Sequence, residues 1–171
     1  MGKPMTDADN AVESNGDETF SPIYSDYGGD ELLEQAQGNA QAALVATVAF
    51  LRERGIPVSD WTSALGRSFA NEWGDPEPWG PDEFLDAMLT NYRSLGAAVQ
   101  RAEFGSDRAE ADISGFPNPE QCERFGVAVI DVAAFHDTAV AIAADRGLTW
   151  TWSVEDAATA RTKILVVPAS S

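Results

Sequence analysis

The chain is poor in the residues that most often carry chemistry. Its 171 residues include one cysteine, Cys122, one histidine, His136, and two lysines, Lys3 and Lys163. A single thiol cannot close an internal disulfide, which excludes a disulfide-stapled secreted scaffold. One His and one Cys cannot supply zinc-ligand spacing. The acids do not follow a calcium-loop pattern, and no Glu-x-x-His pair exists for a di-iron centre. No Gly-rich phosphate loop follows a strand, and no serine sits in a nucleophile elbow. Neither a metal nor a cofactor is therefore expected. The longest apolar stretch, Ala42 to Leu51, is too short to span a bilayer and carries Thr47. No basic region followed by an apolar run opens the chain, so a signal peptide is not expected and the cytoplasm is the expected location.

Positive charge is also scarce. Eleven bases face 28 acids, for a formal net charge of −17. Nucleic acid and anionic membranes are polyanions, so neither is an expected partner. Cationic ligands, or neutral ones that become enclosed, suit this surface better. Low Lys, high Asp and Arg over Lys also fit salt adaptation, which accounts for the charge without any partner. Up to Asp30 there are seven acids and one Lys; the other 21 acids and 10 bases follow. The acidity thus belongs to the folded part as well as to the tail.

Hydrophobic residues make up 44 % of the chain, enough for one cored domain. Residues 1–29 are acidic and rich in Gly, Ser and Asn, and are expected to be a largely disordered tail. Phe20, Ile23, Tyr24 and Tyr27 form an aromatic arm within it, able to dock on the domain or on a partner. Residues 30–171 read as a single domain. Leu32, Leu33, Ala36, Ala40, Leu44, Val48 and Leu51 recur at helical spacing, with a stop at Gly55. Ser59 or Asp60 caps a second helix, whose stripe is Trp61, Leu65, Phe69 and Trp73. Pro81 opens a third, with Asp82 and Glu83 at its positive end and a stop at Gly96. The period then changes: Ala98 to Phe104 and Arg108 to Phe116 read as strands joined at Gly105-Ser106-Asp107. A long helix from about Glu120 to Arg146, with a weak point near Gly126, precedes a second hairpin. In that hairpin Leu148, Trp150, Trp152 and Val154 alternate with polar residues, and Lys163 to Val167 form the last strand. Because helices and strands come in runs, the expected class is α+β: N-terminal helices, then an antiparallel sheet of two hairpins flanking a long helix.

His136 is the natural candidate for a general acid or base, since an imidazole titrates near neutral pH unaided. It shares a helix side with Val129, Val132, Ala133, Val140 and Ala143, as a core histidine also would. Asp137 and Asp131 lie off that face, so an orienting carboxylate is sought on the strands, at Asp112 or Glu155. Cys122 lies fourteen residues from His136, too far along a continuous helix to form a Cys–His pair. Trp150 and Trp152 on a strand facing His136, with Tyr92, would wall an aromatic pocket for a small organic ligand. Arg67, Arg93 and Arg101 are placed to bind a carboxylate there; Arg101 is taken as the ligand-binding one.

The segment from Leu51 through Gly66 to Ala64-Leu-Gly-Arg-Ser-Phe-Ala70, followed by helix, hairpin, Pro-containing break, long helix and closing hairpin, resembles two related groups. These are the 4-vinyl-reductase-like small-molecule-binding domains and the L-2-amino-thiazoline-4-carboxylic acid hydrolase-like proteins. The resemblance covers about residues 31 to 167. It implies a pocket for a small organic molecule, with hydrolase chemistry in some members. Gly115-Phe116-Pro117 stands where those members have a Cys-Pro pair, so no cysteine nucleophile carries over. Two functions follow as expectations. One is a small-molecule-binding domain in which His136 serves as general acid or base, of hydrolase or lyase type. The other is a non-catalytic interaction subunit using the aromatic arm or a sheet edge, with homo-oligomerisation left open.

Overall fold

The structure is a computed structural model and describes residues 28–74 and 77–170. Residues 1–27 of the expected tail, with its aromatic arm, lie outside the described residues, and its last residue, Gly29, already belongs to the first helix. Helix α1 spans Gly29–Glu53. Glu31 folds back to accept from the Gly28 N–H at 2.8 Å, closing the first turn. Helix α2 runs Val58–Glu72 and α3 Pro81–Ser94. In α3, Pro81 occupies the first turn and Glu83 accepts from the Gly80 N–H, so a proline and an acid settle the start together. Strands β1 (Ala98–Glu103) and β2 (Ala109–Ser114) form one hairpin, and β3 (Leu148–Asp156) and β4 (Arg161–Pro168) the other. Pairing of β2 with β4 joins them into one antiparallel sheet of order β1-β2-β4-β3. The α+β class and the two hairpins hold.

The expected long helix is broken twice. Helix α4 (Pro119–Arg124) is capped by Asn118, whose side chain accepts from the Gln121 N–H, and it stops at Gly126, where φ is +67°. The chain then resumes as α5 (Val129–Ala133), tightens into a 3-10 turn over Ala134–Asp137, and continues as α6 (Thr138–Ala144). No single helix lies across the sheet. Instead α3 covers β1, β2 and β4, and α6 covers β3.

One face of the sheet is buried. Ala109, Ala111 and Ile113 of β2, Ile164 and Val166 of β4, and Leu148 and Trp150 of β3 meet Phe84, Leu85, Met88 and Leu89 of α3. The opposite face is polar and carries Arg101, Asp112 and Lys163 in register across three strands. A second, smaller core lies between α1, α4 and α5, built from Val45, Val48, Cys122, Val127 and Val132. Among the described residues no helix is long and apolar enough to cross a membrane.

Two contacts tie the helical layer together. Gly66 of α2 packs directly on the backbone of α6: a Cβ there would sit 2.7 Å from the Thr138 carbonyl oxygen. Gln41 of α1 reaches between distant loops. Its amide donates to the Leu95 carbonyl at 2.7 Å and the Gly115 carbonyl at 3.3 Å, and its oxygen accepts from the Asn118 N–H at 2.6 Å.

Gly66→Ala is expected to cost about 1–3 kcal/mol, because neither backbone can yield without separating the helices. Gln41→Leu is expected to cost about 3 kcal/mol, through two carbonyls and one N–H left without their partner. Urea unfolding of each variant measures both; losses under about 0.5 kcal/mol would mean that the two contacts do not hold the layer.

Candidate functional site

His136 sits in the 3-10 turn and is fully buried. Its ring is enclosed by aromatics from three other elements. The Tyr92 ring of α3 is 4.7 Å away between centroids, Trp152 of β3 5.3 Å, and Phe116, just after β2, 5.6 Å. Trp150 stacks on Tyr92 at 6.3 Å, with its plane only 25° from parallel. The structure thus brings Tyr92 and Trp152 against His136, and Trp150 against Tyr92.

The polar atoms in this cluster divide sharply. Trp152 Nε1 donates to Asp137 Oδ1 at 2.7 Å. By contrast, the Tyr92 hydroxyl, both imidazole nitrogens of His136 and Trp150 Nε1 are buried with no hydrogen-bond partner among the described residues. Burial pushes the His136 pKa down to about 3, so the imidazole is neutral throughout the ordinary pH range. Burial, and secondarily the Asp137 charge, push the Tyr92 phenol up, so it stays protonated. The cluster is uncharged apart from Asp137 at its edge.

Beside it lies a cleft of about 300 Å³ between α2, α3 and the segment from the 3-10 turn into α6. Phe69, Trp73, Met88, Phe135 and Ile142 form its apolar walls, and Asn91 and Ser94 stand at an exposed rim. Tyr92 belongs to both features: its ring lines the cleft and meets His136 edge-on. A larger groove of about 690 Å³ beside α1 has polar walls, with Glu31, Glu34, Gln37 and Gln41 among them.

Three candidates from the sequence lie elsewhere. Asp112 is flanked by buried Ala111 and Ile113, so strand alternation turns it to the open face of the sheet, 3.7 Å from Arg161. Glu155 is likewise on the outward side of β3, exposed and accepting from Ser153 Oγ. Neither can orient His136 from behind the sheet. Arg101 is exposed on the same open face, paired with Glu103, and does not reach the cleft. Arg67 and Arg93 are exposed on the helices. The carboxylate that does adjoin the cluster is Asp137, brought there by the 3-10 turn. Phe116 and Phe135 were also missed, since neither stands out by period or motif. Cys122 is buried in the second core, against α1 and α5 rather than among the aromatics around His136, and burial raises its thiol pKa. Among the described residues no three His, Cys, Asp or Glu side chains are grouped to hold a metal ion.

The depressed pKa of His136 carries a pH prediction. Between about 3 and 6.5 the unfolded chain binds a proton at this site that the folded chain does not. Stability from this group is therefore complete above pH 6.5 and falls with pH below it, by at most about 1.4 kcal/mol per unit. Thermal melts of the wild type and His136→Leu from pH 7.5 to 4.5 isolate the effect from the many carboxylates. The wild type is expected to lose more stability over that range than the variant; parallel curves would contradict a neutral, buried imidazole.

Compared with known proteins, the chain matches no family model, no curated protein and no solved structure.

Proposed function

We propose that the chain binds a small, uncharged, largely apolar molecule in the cleft between α2, α3 and α6. The observation that carries this is the position of Tyr92, whose ring forms a wall of an apolar cleft and, at the same time, one member of a buried set of unpartnered polar atoms. An apolar enclosure with a few convergent polar groups is the usual form of a small-molecule site, and 300 Å³ falls at the small end of the range. The larger groove beside α1 lacks the apolar enclosure. Binding is favoured over acid–base catalysis by His136, because an imidazole with a pKa near 3 is a weak base and is not protonated at neutral pH. A second reading, an interaction subunit, draws on the outer half of α1, where Leu32 and Leu33 are each more than half exposed.

The neutral fluorophore N-phenyl-1-naphthylamine tests the cleft. Saturable fluorescence enhancement on titration with the full chain is expected. Ser94→Trp places an indole at the exposed rim and is expected to weaken binding about tenfold or more, with little change in thermal midpoint. Absence of saturable binding, or binding indifferent to Ser94→Trp, would remove the cleft as the site.

A further inference from the structure

Buried polar side-chain atoms in folded proteins are paired in the large majority of cases. Here four unpartnered ones fall on three side chains linked through one ring: Tyr92 from α3 meets His136 of the 3-10 turn and, separately, Trp150 of β3. Phenylalanine at either flanking position would supply a ring without leaving a polar atom stranded. Elsewhere among the described residues the buried side-chain atoms without a partner are single and scattered, Gln121 Oε1 and Arg146 Nε, on side chains whose other polar atoms are paired. Trp152 has its carboxylate acceptor, and the buried Arg146 donates to the Ile142 and Trp73 carbonyls while stacking on Trp73 and Trp79.

We propose that Tyr92, His136 and Trp150 recognise the polar edge of the molecule in the cleft, and that this molecule is an uncharged planar ring bearing a carbonyl beside an N–H, as in a lactam or cyclic amide. The proposal rests on the cleft reading above and names its ligand class. Trp150 Nε1 can only donate, the Tyr92 hydroxyl can donate or accept, and a neutral imidazole does one of each. Together they match a group that both accepts and donates along one edge. A carboxylate would enter a fully buried site beside Asp137 with no cation facing it. An ammonium would be stripped of water against only neutral acceptors, one imidazole nitrogen and the Tyr92 hydroxyl, because Asp137 is already engaged by Trp152. Aromatic walls suit a flat ring: Phe69, Trp73 and Phe135 border the cleft. Of the three, only Tyr92 lines the cleft, so the ligand's edge reaches His136 and Trp150 only if the Tyr92 ring swings aside; no hydrogen bond from its hydroxyl to a described residue opposes that.

The test compares 2-quinolinone with naphthalene, two flat bicyclic compounds of nearly equal size of which only the first carries the lactam edge. Equilibrium dialysis with the full chain gives both affinities. The wild type is expected to favour 2-quinolinone about tenfold or more. Tyr92→Phe and His136→Leu are each expected to bring that ratio toward one. The thermal midpoint of Tyr92→Phe is expected to hold or rise, since no hydrogen bond within the protein is lost. Trp150→Phe replaces His136→Leu if the latter does not fold. A wild-type ratio near one, or a ratio that survives these substitutions, overturns the proposal. If both compounds bind equally and Ser94→Trp blocks both, the cleft stands and only the polar-edge recognition falls. If neither compound binds, the cleft reading fails and takes this one with it.

Discussion

The contact between Gly66 and Thr138 sets the geometry on which the site depends. With no side chain at position 66, α2 approaches the backbone of α6 closely at the junction where the 3-10 turn ends. That approach fixes the turn between α2 on one side and the sheet on the other. Phe135 then meets Trp61 of α2 at 6.2 Å, while the next residue, His136, faces the sheet-side aromatics. A larger residue at position 66 would separate the two helices and widen the cleft that they share with α3. The site is therefore a consequence of helix packing, with the chemistry-bearing residue held by its neighbours rather than by hydrogen bonds of its own.

Much of the fold is legible in the sequence because it rests on local signals. Pro81 with Asp82 and Glu83, the stops at Gly55 and Gly96, and the period-two alternation of Trp150 and Trp152 with threonines are each decided within a few residues. The same alternation also contained the answer about Asp112. Ala111 and Ile113 flank it, and a strand that buries both must turn Asp112 away from the core. Strand periodicity carried through to side-chain direction likewise places Glu155 of β3 on the outward side, so neither acid can partner a residue beneath the sheet.

The helical break at His136 was not legible. Nothing between Val129 and Ala144 is a glycine or proline, and Ala-rich helical sequence reads as continuous. A 3-10 turn advances about three residues per turn instead of 3.6, so the face is rephased beyond it. Val140, expected on the buried side with His136, lies 46 % exposed, while Ile142 and Ala143 are buried. The same rephasing brings Asp137 to the Trp152 indole. Local sequence cannot show this, because tertiary packing against α2 and β3 decides it. Gly126, by contrast, is a visible stop, and α4 ends there.

The distribution of charge bears on what can reach the cleft. On the open face of the sheet, Arg101, Arg108, Arg161 and Lys163 pair with Glu103, Glu110 and Asp112, so acids and bases largely offset one another there. The helices that border the cleft are less balanced: Asp60, Glu72, Asp82, Glu83 and Asp86 on α2 and α3 face only Arg67 and Arg93. An anion approaching this side meets net repulsion, weakened by salt but of constant sign. A cation would be drawn to the rim yet would find an apolar interior with a neutral imidazole behind it, and would have to shed its hydration to enter. The surface and the interior thus discriminate in different ways, one by long-range field and the other by desolvation. An uncharged molecule is the class that neither one opposes.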